Sequence, residues 1–541
     1  MKIKLSNLGK LLILFFFCVA VVVGCHSQNT HPTNSTINQN GRVTIGTTLK
    51  TRTLDPADNY ELAGMILSYN LGETLYTYKP GTTNLIPLLA REMPKISDDG
   101  LIYTIPLRND VIFHDGTPFN AQAMVFSLRR FIENGGEPSF LLSDAIAKVE
   151  ATGDDEIQIK LKSPFAAFTA LLAFPGACAV SPKAYEIGEG KFVPDQFVGT
   201  GPYKLVEVKN DSLKLAPFEQ YWGEKPKNKG IDLQIYLGNP ANLFNAFSTG
   251  TVDVAYQSLQ APQIRKLQTQ AKEGKWQVIE ASGTAISFLA LNVKTEPVKE
   301  KAVRKAIASL IDRSLLNERI LQGQGEPLYS LIPKTFDVYK PVFQEQYGDH
   351  QIEKAKQYLI EAGFTKENPA IVEIWHSSSS VTASMVAGVL KALAKRDLDD
   401  MITIEPNSIA SAAYFKNVSR GLYSSALSNW YPDFLDADNY IQPFLSCSKG
   451  SPQDGCSEGG SQSQGSFFYN QVINTLIEQQ RQEQDPKIRQ NIFAQIQDIL
   501  AQEVPYIPLW QSKDYAFVQN KIKGMILNPN QLTPFWTIQP I

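Results

Sequence analysis

Histidine, methionine and charge are all scarce in this chain: its 541 residues include 5 His, 7 Met and only 19% charged side chains. So few histidines leave little room for metal or acid–base chemistry. His26 and His31 sit in a polar leader, and His114, His350 and His376 share no metal-ligand spacing. Each is expected to be a satisfied polar residue. No HExxH pair occurs, and no Gly-rich loop ending in Lys-Ser/Thr, so the chain is not itself an ATPase. A GxSxG nucleophile elbow is missing too; Ser461–Gly465 (SQSQG) is a near miss inside a low-complexity loop. These gaps close the common routes to catalysis, and no enzyme activity, cofactor or metal is expected. The net charge of −3 offers no basic field for nucleic acid. After Val23 no apolar run is long enough to cross a bilayer.

What is present begins at the N-terminus. Lys2, Lys4 and Lys10 precede an uncharged run from Leu11 to Val23, closed by Gly24-Cys25. Basic, apolar, then small is the order of a secretory signal, and about 13 apolar residues fall short of a membrane-spanning helix. Val22-Val23-Gly24-Cys25 resembles the bacterial lipobox, which implies a signal over residues 1–24 and a lipid on Cys25. From His26 to Gly41 no residue is charged, and Ser, Thr, Asn and Gln dominate. Residues 25–40 are therefore expected to be a disordered tether reaching roughly 20–25 Å. Outside the signal and Cys25, three cysteines remain. Cys447 and Cys456 lie nine apart in a Gly/Ser/Gln-rich loop, where an oxidising compartment favours a disulfide. Cys178, within LLAFPGACAV, reads as a small buried hydrophobe.

About 500 residues follow the tether, enough for two or three domains. Strand-like alternation marks Arg42–Gly46, Ile102–Leu107, Glu156–Lys162, Ile231–Leu237 and Ser287–Val293. Asn120 is placed to cap a helix over AQAMVFSLRRF. Helical spacing predicts one helix over Glu300–Leu321, a second over Ile352–Ala362 stopping at Gly363, and a third over Asp485–Glu503. Strand AIVEIW, helix VTASMVAGVLKALAKR and strand MITIEP form a β-α-β unit, the mark of a parallel sheet. Gly100–Arg130 reads as a strand, an Asn109-Asp110 turn, a second strand, an Asp115-Gly116 turn and a capped helix.

The residues of that last segment, LRNDVIFHDGTPF, resemble the signature of the extracytoplasmic solute-binding proteins of family 5, the oligopeptide, dipeptide and nickel binders of ABC importers. Four further segments agree in order: Thr53–Pro56 (TLDP), Val198–Tyr203 (VGTGPY) with Tyr221-Trp222-Gly223, Val303–Ile307 with Ile311-Asp312-Arg313, and Asn429–Asp433 (NWYPD). The resemblance implies an α/β fold of the type II periplasmic-binding class, two lobes with an extra subdomain in the larger. It places lobe I at 41–79, 198–284 and 505–541, the extra subdomain at 80–197, and lobe II at 285–504. It also implies a monomer outside the cytoplasm, anchored to the membrane by lipid, with a permease and ATPases as partners.

In the peptide-binding branch of this family the Asp of the NWYPD-like motif pairs with the ligand's α-ammonium, which corresponds to Asp433. A shielded carboxylate accepting bonds from an ammonium is a strong contact that selects peptides without selecting a sequence. Trp430 is expected as an apolar wall, and backbone near Trp430 and Tyr431 as a strand edge for the ligand. Asn429 stands where the family has Gly. Asp433, Asp436 and Asp438 allow an alternative cation site, disfavoured because no second cluster completes the shell. Arg420 is a candidate for the ligand carboxylate by chain proximity only. The competing ligands in the same fold are a nickel chelate, haem or a sugar; a secreted peptide or cell-wall hydrolase is the alternative from another class.

Overall fold

Every alternating segment predicted above overlaps a strand, and most join one sheet. The computed structural model describes residues 41–256 and 259–541; the expected signal, Cys25 and tether lie outside them. Among the described residues the large sheet has eleven strands. Its order is Ile402–Ile409, Ala370–Ser377, Ser425–Trp430, Trp276–Leu291, Tyr506–Gln519, Val254–Tyr256, Val43–Thr47, Ile231–Ile235, Ser212–Pro217 and Tyr203–Val208, with Gly325–Pro327 also pairing Tyr506–Gln519. The predicted β-α-β unit is there: Ala370–Ser377 and Ile402–Ile409 pair in parallel across helix Val381–Asp397.

Two strands are far longer than the rest, Trp276–Leu291 and Tyr506–Gln519, with 16 and 14 residues. They run antiparallel from Trp276↔Gln519 to Ala290↔Tyr506, broken by a register shift between Ser282 and Ile286. Either side of that bulge they serve different cores. Val254, Ala516 and Val518 pack with Val43 and Ile45. Phe288, Leu289, Ile507 and Leu509 pack with Ile307, Leu390 and Phe444. The two strands are thus shared by a Val43 half and a Phe288 half.

A separate antiparallel sheet, Lys95–Ile96, Ile102–Pro106, Glu156–Leu161 and Ile146–Ala151, carries helix Ala121–Glu133. Asn120 caps that helix, its side chain accepting the Ala123 N–H at 3.0 Å. The predicted hairpin through Asn109-Asp110 is not formed. Ile102–Pro106 pairs with Glu156–Leu161 instead, because its inward residues Tyr103 and Ile105 are fully buried only against a second strand with the same alternation. The Asp115-Gly116 turn does form, closing a tight loop in which the Phe113 N–H donates to Thr117 O and the Phe119 N–H to Val111 O. The single helix expected over Glu300–Leu321 is also two: Lys301–Leu310 and Arg313–Arg319. Ile311 turns extended, and the Asp312 side chain accepts the Leu315 N–H at 2.8 Å, capping a new helix where periodicity alone shows no break.

The family-like segments turn out to hold one another. Asp55 of TLDP and Arg130 of the capped helix form a bidentate ion pair at 2.8 and 2.6 Å, both side chains buried. His114 Nε2 meets Gly201 O at 3.0 Å, and its Nδ1 accepts the Gly199 N–H at 3.4 Å, which fixes a neutral ring with the proton on Nε2. Burial pushes that imidazole down to about 4. Gly199 and Gly201 are needed there because a Cβ on either would lie 2.5–2.6 Å from backbone atoms of Leu71. Tyr221 Oη and Trp222 Nε1 both donate to the buried Glu73, at 2.8 and 2.9 Å, and Arg108 lies over the Trp222 ring. Cys178 is buried as expected. A disulfide joins Cys447 to Cys456 beside the hairpin of Lys449–Ser451 and Gly455–Glu458.

Candidate functional site

Strand Ser425–Trp430 leads out of the Phe288 half and delivers Asn429, Trp430 and the loop to Asp433. Its antiparallel partner supplies Ile286 opposite Trp430 and Ser287 opposite Asn429. On its other edge the parallel neighbour reaches only Ser425 and Ala426. Past Ala426 that edge has no strand partner among the described residues. The loop then plugs into a third core: Phe434 and Leu435 pack with residues of 57–179, and the Leu435 N–H donates to Tyr78 Oη at 2.9 Å.

Asp433 therefore sits where the Phe288 half meets that third core. Tyr60, packed against the same core, donates its hydroxyl to Asp433 Oδ1 at 2.6 Å, across 373 positions of sequence. Asn439 Oδ1 accepts both the Asp433 N–H at 3.0 Å and Trp430 Nε1 at 3.2 Å, locking the loop's shape. Burial raises the Asp433 carboxyl above its usual range, and the Tyr60 and Asn439 hydrogen bonds partly oppose it. The Tyr60 hydroxyl is in turn held protonated, by burial and then by the neighbouring carboxylate.

Two cavities flank Tyr60, which lines both. One, of about 320 Å³, has Asp433, Trp430, Phe165, Asp144 and Arg481 on its walls. The other, of about 570 Å³, is walled by Tyr431, Leu49, Met65, Thr284, Lys513 and Asp514, residues of both halves and both shared strands. A third cavity of about 540 Å³ is walled largely by the core of the Val43 half, including Ile45, Leu67, Leu213 and Phe535, and does not bridge the halves.

The predicted residues thus divide. Asp433 and Trp430 line the smaller cavity, and exposed Tyr431 lines the larger. Asn429 lines neither; its side chain is exposed. Arg420 is exposed and lines neither. The cation-site alternative fails on charge: Arg489 binds Asp436 in a bidentate pair at 2.7 and 2.6 Å, and Asp438 is enclosed by Gln480 and Arg481. No cluster of metal-ligating side chains occurs among the described residues. Tyr60, Arg481 and Asp514 were not singled out from the sequence. Tyr60 lies just beyond TLDP and Arg481 within a polar helix, and neither position carries a pattern.

The fold is an α/β scaffold whose two halves share two long strands, with a cavity lined by residues of both. Residues 84–452 match the model of bacterial extracellular solute-binding proteins, family 5, and the chain belongs to that family. It is 28% identical over 496 residues to the "Probable D,D-dipeptide-binding periplasmic protein DdpA" of Escherichia coli K12, covering 90% of this chain and 91% of that one. It is 26% identical over 492 residues to heme-binding protein A of Haemophilus influenzae, covering 86% of each. The structure of HbpA2 from Haemophilus parasuis superposes with a TM-score of 0.79 at 22% identity, over 92% of this chain and all of that one. The α/β type II periplasmic-binding fold is the observed fold, and the family is one of binding proteins.

Proposed function

We propose that this protein captures short peptides in the cleft and delivers them to the permease of an ABC importer. The observation that carries this reading is a small cavity that offers both signs of charge: Asp433 and Arg481 line it, Arg481 lying 3.7 Å from Asp438, which with Asp144 also faces it. A peptide is a zwitterion, with an ammonium for Asp433 and a carboxylate for Arg481. The open edge of Ser425–Trp430 past Ala426 supports main-chain pairing with the ligand. Curated relatives named for a dipeptide and for heme leave both ligand classes in the family; the charged cavity favours the peptide.

Ligand touching both halves stabilises the form in which they meet, and the permease reads that form. The lobes are 41–79 with 198–284 and 505–541, and 285–504, with 80–197 as the extra subdomain. The protein acts as a monomer. Cys25 carries the lipid that holds it at the membrane outside the cytoplasm; Cys25→Ala is expected to move it from the membrane fraction to the soluble one, and an unchanged distribution would count against the anchor.

The central test is native mass spectrometry of the processed full-length protein, purified without refolding and titrated with di- to pentapeptides. Captured peptides are expected, lost in Asp433→Ala, and C-terminally amidated peptides are expected to compete poorly. Retention of heme or another non-peptide mass, with no peptide bound at micromolar concentration, would overturn the reading.

A further inference from the structure

The larger cavity holds an acid that the proposed contacts leave unused. Asp514 lies on Tyr506–Gln519, on the cavity wall, and is nine-tenths buried. Gln531 Nε2 donates to its Oδ1 at 2.9 Å. Its Oδ2 is shut off from solvent and has no hydrogen-bond partner among the described residues, and the same holds for Ser512 Oγ. Both orphan oxygens pack against Gly283, which has no side chain to displace them: a Cβ there would lie 2.1 Å from Ser512 Oγ and 2.7 Å from Asp514 Oδ2. Gly283 falls within the register shift of the two shared strands. The missing side chain at the bulge lets the two oxygens sit against the backbone, with Asp514 on the cavity wall.

Nothing charged answers that acid. The neighbouring Lys513 is committed to Glu280 at 2.8 Å. No ion pair to Asp514 occurs among the described residues, and burial lifts its carboxyl to about 7. A buried carboxylate lacking a counter-charge and one hydrogen bond is costly in a folded protein. Rotation about Cβ–Cγ presents either oxygen to the cavity, so a ligand nitrogen bearing several N–H donors satisfies both the charge and the vacant acceptor. A primary ammonium does this, with a donor left for Ser512 Oγ. An apolar or acidic group does neither.

We propose that Asp514, with Ser512 and Gly283, forms a second acidic subsite that takes the side-chain ammonium of a lysine-type residue and biases the protein toward basic peptides. This rests on the peptide reading above and deepens it. Tyr60 is the partition: main-chain charges lie on its Asp433 side, and the basic side chain lies on its Asp514 side.

The test is competition between two matched di- to pentapeptide mixtures, one containing lysine and the other norleucine at the same position, read by native mass spectrometry on the processed full-length protein at pH 8. Lysine peptides are expected to be preferred by at least about tenfold, the worth of a charge-assisted hydrogen bond. Asp514→Asn is expected to bring the ratio within about twofold. Gly283→Ala, whose methyl displaces Ser512 Oγ and Asp514 Oδ2 while keeping the charge, is expected to lower it as well, and serves if the first variant folds poorly. Equal capture of both mixtures by the native protein, or an Asp514→Asn ratio as high as the native one, overturns the subsite alone. Capture of neither mixture overturns the peptide reading and the subsite with it.

Discussion

Replacing Arg130 by Met should cost the protein about 3 kcal/mol, because it leaves a carboxylate buried without its counter-ion. Asp55 and Arg130 have relative exposures of 0% and 1%, so neither can turn to water when its partner goes. Breaking such a pair typically costs about 3–5 kcal/mol. Two features place this one at the lower end. The Ala57 N–H at 3.0 Å and the Val193 N–H at 2.7 Å still donate to Asp55. Methionine also preserves most of the buried apolar stem, though not the guanidinium that lies 4.6 Å over the Tyr185 ring. The opposite arm is Asp55→Leu with Arg130→Met, which removes both charges and should recover most of the loss. Urea unfolding followed by tryptophan fluorescence measures the total. Hydrogen exchange at the Ala57 and Val193 amides reports the local opening, which matters because a chain of this size can open in parts. The double variant losing as much as Arg130→Met would refute the reasoning, as would a loss below about 1 kcal/mol in the single one.

Acid should weaken the fold through His114. The unfolded ring takes a proton near 6.5 and the folded ring only near 4, so the unfolded state binds more protons in between and stability falls as pH drops through that window. The full loss is about 3 kcal/mol, and His114→Gln should flatten the slope of unfolding free energy against pH between about 7 and 4; an identical slope would rule His114 out as its source. Tyr60→Phe should move the acid limb of peptide binding to higher pH. The hydroxyl that donates to Asp433 opposes the upward push of burial, so without it the carboxylate that binds an ammonium is lost sooner as pH falls. Isothermal titration between pH 5 and 8 checks this, and a limb that stays in place or moves down would contradict it.

Periodicity carried most of the fold. The strands at Val43–Thr47, Ile231–Ile235 and Glu156–Leu161 alternate because one face of each is buried, and the helix at Ile352–Glu361 ends at a glycine with φ of +79°. What periodicity could not carry was pairing. Ile102–Pro106 pairs with Glu156–Leu161 and not with the segment that follows it, and a partner some fifty residues away leaves no local mark. The Asp312 cap was visible as an Asp before a helical stretch, yet an apolar stripe continuing through Ile311 hid the break. The full extent of Trp276–Leu291 was also concealed, because the part before Ile286 is half-buried without strict alternation.

The site was legible only where a motif happened to face the cleft. Most family-like residues spend themselves on the scaffold. Asp55 with Arg130, His114 with Gly201, and Tyr221 and Trp222 with Glu73 are buried contacts that hold segments of the Val43 half together. Asp433 is the exception, and it is recognisable from sequence because its loop is both a structural plug, through Phe434 and Leu435, and a cavity wall. Tyr60, Arg481 and Asp514 have no such double duty. Their importance comes from where two long strands bring two halves together, and a cleft between halves is defined by pairs of residues hundreds of positions apart. Family resemblance is therefore carried mainly by the buried motifs, and the proposed ligand contacts, Asp433 apart, by residues those motifs do not include.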